Sequence, residues 1–173
     1  MPVSKQEKKM ILRRIEVNDR ESIERLSKAA SAIIKDYYDP IIGPEQNDYM
    51  IARSYTASVI TKHITEGHNF YAMEDNEDII GFIDIYPRGN ALYLNKFYMR
   101  EDFRGMGLGS AMLDFVKKEA RRLELPSIEL NMNRFNPTAV IYEKLGFRKI
   151  REEKIDIGSG YYMDDFVYSM TLD

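Results

Sequence analysis

The 173-residue chain contains no cysteine. That absence excludes disulfides, a thiol nucleophile and thiolate metal ligands. Histidine is nearly absent as well: there are two, His63 and His68, standing apart from other ligand types, so no metal site is expected. No serine sits beside either, so nothing suggests a covalent acyl-enzyme. No apolar run approaches the ~20 residues of a membrane span. Residues 1–9 are polar and charged, unlike a secretory signal. The expectation is a cytoplasmic protein without membrane attachment. A net charge of −3 with no basic stripe argues against nucleic acid as a partner. Repeats and low-complexity linkers are also lacking. A chain of this length buries roughly 70% of its unfolded surface, so residues 1–173 are read as one domain with its core in about 10–172.

What is present is a mixed pattern of strands and helices. Residues 10–17 read as a strand through Ile11, Leu12, Ile15 and Val17. Asn18 or Asp19 can cap a helix whose apolar positions, Ile23, Leu26, Ala29, Ala30, Ile33 and Ile34, recur at helical spacing. Pro40, Gly43 and Pro44 punctuate residues 37–44 and are expected to break it. A second helical stretch is expected from Glu45 towards Thr65. Strands follow at 70–73, 79–86 and 91–99, joined by turns at 75–78 and 88–90. Residues 107–123 form an amphipathic helix with Ala111, Met112, Phe115, Val116, Ala120 and Leu123 on one side. A strand at 127–132 precedes a helix at 136–145, with Pro137 at its first position and Gly146 just past its end. Residues 147–157 and 161–172 close the chain as a hairpin. The order implies an α/β (α+β) fold with a mostly antiparallel sheet and helices on its faces.

The most informative segment is Arg104-Gly105-Met106-Gly107-Leu108-Gly109, which joins a strand to a helix. Glycines there let the backbone approach a ligand, and the free N–H groups of a helix start favour an anion. The spacing is not a Walker loop, since no Gly-Lys-Ser/Thr follows, and not the G-x-G-x-x-G dinucleotide fingerprint. Arg104 can add positive charge to a phosphate site.

Arg104-x-x-Gly107-x-Gly109 fits the Q/R-x-x-G-x-G/A signature, and the chain resembles the GCN5-related N-acetyltransferase (GNAT) superfamily. The run Asn136-Pro137-Thr138-Ala139-Val140-Ile141-Tyr142-Glu143-Lys144-Leu145-Gly146-Phe147 resembles that family's second signature. Residues 42–50, 93–98 and 156–165 are similar to a bacterial branch often labelled diamine or polyamine acetyltransferases. The resemblance implies a six- to seven-stranded sheet whose central strands splay apart, with acetyl-coenzyme A as co-substrate and no metal. It implies cofactor contacts from Phe97, Tyr98, Met99, Arg104, Gly105, Met106, Gly107, Leu108, Gly109, Ser110 and Asn136, and from Lys144 towards a 3′-phosphate. It places Tyr142 at the sulfur as the catalytic residue. Family members are often dimers, so a homodimer is a further expectation.

Chemistry limits these roles. Tyrosine titrates near 10 and a thiol near 8.5, so full proton transfer from Tyr142 is uphill by roughly 2 kcal/mol. A lysine-like amine must lose a proton at a cost of roughly 4.6 kcal/mol at pH 7. The glutamate that some relatives use as base is Asn131 here, which leaves the base open among Glu129, Asp84, Tyr98 and Glu45. The resemblance implies acceptor contacts from the first two helices and the last hairpin, here Glu45, Tyr49 and Asp164 with Tyr37, Tyr38, Gln46 and Asp165; carboxylates and aromatic faces suit a cationic amine. The acceptor is a small amine, a polyamine, or a protein lysine or N-terminus. The alternative is an acyl-coenzyme A sensor or partner-binding module without turnover.

Overall fold

The computed structural model describes residues 11–173. Met10, the first residue of the expected opening strand, lies outside them. Seven strands form one sheet in the order β1-β2-β3-β4-β5-β7-β6. They are β1 (Ile11–Arg14), β2 (Asn69–Asp75), β3 (Asp78–Arg88), β4 (Ala91–Met99), β5 (Ser127–Asn133), β6 (Arg148–Gly158) and β7 (Tyr161–Thr171). All neighbours are antiparallel except β4 and β5.

Helices cover both faces. On one, α1 (Arg20–Ile42), α2 (Pro44–Ser54) and α3 (Ala57–Thr65) pack over a core built on Leu26, Ile34, Ile60, Phe70 and Phe82. On the other, α4 (Leu108–Arg122) buries Met112, Leu113, Val116 and Ala120 against Ile83, Leu92, Leu94, Ile128 and Leu130. Leu123, expected on this side, is 38% exposed because the helix ends one residue earlier.

Three helix boundaries depart from the sequence reading, each for a physical reason. First, α1 runs through Pro40 to Ile42 instead of breaking at Tyr37. Pro40 removes one late-helix N–H donor, but Tyr38 is buried in the core and holds the last turns in place. Gly43, at φ 86°, then ends the helix by donating its N–H to Asp39. Second, the stretch towards Thr65 is two helices. Tyr55 is sunk into the core edge-on to Phe82, and Thr56 restarts the chain by accepting the Val59 N–H.

Third, α5 spans only Ala139–Lys144, so Pro137 is not its first residue. The Asn136 carboxamide oxygen accepts from both the Thr138 N–H and its hydroxyl, at 3.0 and 2.7 Å. Such an Asx turn competes with the helix for the same backbone groups.

Candidate active site

The site is a consequence of how β4 and β5 part. Their parallel pairing covers only Ala91–Tyr93 against Ser127–Glu129. Beyond Tyr93 the two strands separate, so the β4 backbone groups that face β5 have no strand partner. β4 also bulges: Asp84 pairs with Lys96 and Ile85 with Leu94, which leaves Asn95 as the extra residue. The gap opens into a cavity of about 420 Å³ that passes between the two faces of the sheet.

At one end the Gly loop meets the start of α4. Gly105 and Gly107 hold φ of +76° and +78°, a conformation most side chains resist. A Cβ at Gly105, Gly107 or Gly109 would meet nothing within 4 Å, so the loop presents open backbone. The first intrahelical bond runs from Ala111 N–H to Gly107 C=O, which leaves the N–H groups of Leu108, Gly109 and Ser110 free for a ligand. This end fits a pyrophosphate. Arg104 lines the cavity, but its guanidinium is partly engaged: Nε and Nη2 donate to Met99 C=O at 3.3 and 3.2 Å, and it lies over Tyr37. That contact ties the loop to the end of β4.

Tyr142 projects from α5 into the middle of the cavity, between Phe97 and Phe147, at centroid distances of 6.2 and 5.6 Å. Burial raises its pKa above the ordinary tyrosine value. Its hydroxyl has no hydrogen-bond partner among the described residues. It is therefore a protonated donor facing open space.

The third wall is polar and comes from the other face of the sheet. Tyr37 donates to Asn136 Oδ1 at 2.5 Å, and Tyr38 and Tyr98 share a hydroxyl contact of 3.1 Å. With Thr138 as well, the Asn136 oxygen is saturated, so what Asn136 can offer a ligand is its N–H₂. Burial pushes Tyr38 up to about 12 and also raises Tyr98, so both stay neutral.

Asn131 also lines the cavity, but it is fully spent. It accepts from the Tyr93 hydroxyl at 2.8 Å and donates to Glu153 and Asp165 at 3.0 and 3.3 Å. Glu129 ion-pairs with Arg88 at 3.8 Å and is not among the lining residues.

Of the expected cofactor contacts, the cavity gathers Phe97, Tyr98, Met99, Arg104, Gly105, Gly107, Gly109, Ser110 and Asn136. Met106 is 61% exposed on the loop, and Lys144 lies on the outer side of α5. The expected acceptor residues sit elsewhere. Tyr49 donates to Ile157 C=O at 2.8 Å and Glu45 reaches Tyr161, so both clasp the β6–β7 hairpin. Asp164 pairs with Arg134 at 2.9 Å.

The sequence reading did not single out Asn95, Leu130 or Met132 as lining residues. A lone amide between Leu94 and Lys96 was the available signal for Asn95. The two histidines, far from standing apart, stack at 4.6 Å, and His68 Nδ1 lies 2.7 Å from Asp84 Oδ2. No group of three or more His, Asp or Glu among the described residues is placed to hold a metal. None of the described helices is long and apolar enough to cross a membrane.

Residues 66–149 match the acetyltransferase (GNAT) domain family. Among solved structures, the chain resembles the PaiA N-acetyltransferase of Thermoplasma acidophilum in complex with coenzyme A. The TM-score is 0.76 and the identity 19%, over 95% of this chain and 99% of that one. A GCN5-related N-acetyltransferase from Rhodopseudomonas palustris gives a TM-score of 0.76 at 14% identity, over 94% and 96%. The ribosomal-protein-S18-alanine N-acetyltransferase of Escherichia coli gives 0.66 at 14% identity, over 95% of each chain.

Proposed function

We propose that the chain is a GCN5-related N-acetyltransferase (GNAT) that moves an acetyl group from acetyl-coenzyme A to a primary amine by direct attack; the acetyltransferase (GNAT) domain match over residues 66–149 supports this reading. The observation that carries this reading is the continuity of the cavity. One unbroken space joins a phosphate-accepting helix start, the unpaired edge of β4, and a protonated Tyr142.

The free N–H groups of residues 108–110 and the Gly loop hold the pyrophosphate. The β4 backbone from Leu94 to Met99 pairs with the amides of the pantetheine arm as a neighbouring strand would. A backbone N–H near Met99 stabilises charge on the thioester oxygen, as a preorganised dipole does. Asn136 donates its amide N–H to the arm. Tyr142 donates a hydrogen bond to the departing sulfur and does not ionise, since its raised pKa keeps the proton on oxygen.

The acceptor enters from the side walled by Tyr37, Tyr38, Tyr98 and Asn95. Aromatic faces and amide groups suit a small primary ammonium or polyamine. A protein lysine is compatible with the same wall. The test is a panel of diamines, polyamines, monoamines and lysine peptides incubated with acetyl-coenzyme A, following release of free thiol. Turnover confined to one amine class is expected. Tight coenzyme A binding with no amine-dependent thiol release would replace the enzyme reading with that of an acyl-coenzyme A sensor.

A further inference from the structure

Removing a proton from the acceptor ammonium is the step for which the cavity lining holds no base. Asn131 cannot take a proton, and Tyr38, Tyr98 and Tyr142 are all held neutral. A carboxylate nonetheless lies one side chain behind the wall. Asp84, on β3, is completely buried. Its Oδ2 accepts from Asn95 Nδ2 at 2.7 Å and lies 2.7 Å from His68 Nδ1. Its Oδ1 has no hydrogen-bond partner among the described residues. A buried carboxylate oxygen left unmatched carries a penalty of about 1–3 kcal/mol or more. Such a group is retained where an incoming donor completes it.

The geometry leads outward on the other side. His68 sits at the rim with 15% of its side chain exposed. It is sandwiched between His63 at 4.6 Å and Tyr86 at 4.1 Å, so the ring is fixed in position. Asn95 spends its amide N–H on a group that can only accept, which fixes the flip of the carboxamide and leaves its oxygen for the cavity. Asn95 occupies the β4 bulge, and bulges re-aim side chains. Cavity wall, carboxylate, imidazole and solvent are thus consecutive.

We propose that Asp84 and His68 form the proton exit of the acceptor site. Asp84 Oδ1 takes the proton of the acceptor ammonium through an intervening water, and His68 passes a proton on to solvent. The inference rests on the acetyltransferase reading. The nitrogen loses two protons in all. The first N–H bond breaks as an O–H bond forms on Asp84, and this frees the lone pair. That pair forms the N–C bond at the thioester carbon, and the C–S bond breaks. The second proton ends on sulfur, so that amide and thiol are the products and one proton leaves through His68.

The groups facing Asp84 are His68 and His63 from the end of α3 and the turn after it, Tyr55 from the α2–α3 corner, Tyr86 on its own strand, and Asn95 and Lys96 on β4. Burial pulls the Lys96 ammonium below the ordinary lysine range. Asp165, the other buried carboxylate with an unmatched oxygen, lacks such an outlet. Its side-chain hydrogen bond to the wall comes from Asn131, which is already closed by Tyr93 and Glu153.

The test is the pH profile of kcat/KM for the wild type, His68→Gln and Asp84→Asn, with coenzyme A affinity by calorimetry. Near neutral pH both variants are expected to lose about a hundredfold, the usual scale of general acid–base catalysis, with coenzyme A affinity unchanged. The deficit closes as pH approaches the amine's own ionisation, and added imidazole restores a His68→Gly variant. If the buried Asp84→Asn does not fold, the rim variants at position 68 decide. A His68→Gln profile parallel to wild type at every pH, with no imidazole rescue, overturns the proton exit and leaves the acetyltransferase intact. A wild type that releases no thiol with any amine overturns the acetyltransferase reading itself, and the exit with it.

Discussion

At the scale of single residues, burial decides which groups can carry charge. Tyr142 faces the cavity with its pKa raised, so the role proposed for it is a hydrogen bond to sulfur without ionisation. Proton transfer to the thiolate is already uphill for an ordinary tyrosine, and burial of the ring between Phe97 and Phe147 makes it more so. Asp165 is 3% exposed, and burial raises its pKa from 3.8 to about 6. The sign follows from proton counting. Between about pH 4 and 6 the native state binds more protons here than the unfolded chain, so stability falls as pH rises through that window and stays lower above it. Two pKa units correspond to about 3 kcal/mol. Asp165→Asn is therefore expected to stabilise the fold by up to about 3 kcal/mol at pH 7.5 and hardly at all at pH 4, read from urea midpoints. An equal effect at both pH values would show that the carboxylate is not held in this way. Neither the shift nor the Tyr93–Asn131–Glu153 lock was legible in the sequence, because both depend on which strands lie side by side. The His68–Asp84 contact was hidden for the same reason: sixteen positions apart, the two meet only across the β2–β3 pair.

At the scale of elements, local chemistry announced most of the fold. Alternation placed β4 at residues 91–99 as found, and β2, β3, β5, β6 and β7 to within one to two residues at most ends. The α1 burial stripe through Ile23, Leu26, Ala30, Ile33 and Ile34 matches its helical spacing. What failed was punctuation. Pro40 reads as a breaker, yet core contacts of Tyr38 outweigh it; Asn136 reads as helical, yet its side chain captures Thr138. The Gly loop was legible because glycine at positive φ ahead of a helix start has a direct chemical meaning. Its glycines are not equivalent, however. Gly107 sits at φ +78°, so a β-branched residue there adds backbone strain of about 1–2 kcal/mol to any steric effect on the ligand. Gly109 lies in α4 without positive φ, and its Cβ would point into open space. Gly109→Val is accordingly the cleaner probe. It is expected to weaken coenzyme A binding at least tenfold, about 1.4 kcal/mol, while leaving the thermal midpoint of the free protein within a few degrees. Unchanged affinity by calorimetry would remove the helix start from the binding site.

At the scale of the molecule, two separate cores lie on opposite faces of one sheet, and the cavity runs between them where β4 and β5 part. In the proposed reaction the cofactor would approach from the α4 face and the amine from the α1 face, so the two substrates would meet in the gap without competing for space. The two-core arrangement also explains why Glu45 and Tyr49, which the family resemblance implied as acceptor contacts, fasten the β6–β7 hairpin: they belong to α2, one layer out from the gap. The most direct test of the whole arrangement is a paired measurement on the wild type and Tyr142→Phe, with thiol release in the presence of the best amine and coenzyme A affinity by calorimetry. Loss of one hydroxyl that acts only on the departing sulfur should lower kcat by tenfold or more, on the order of 1.4 kcal/mol or above, with coenzyme A affinity unchanged. Equal turnover in the two proteins would contradict the placement of the thioester beside Tyr142, and with it the path of the cofactor through the β4–β5 gap.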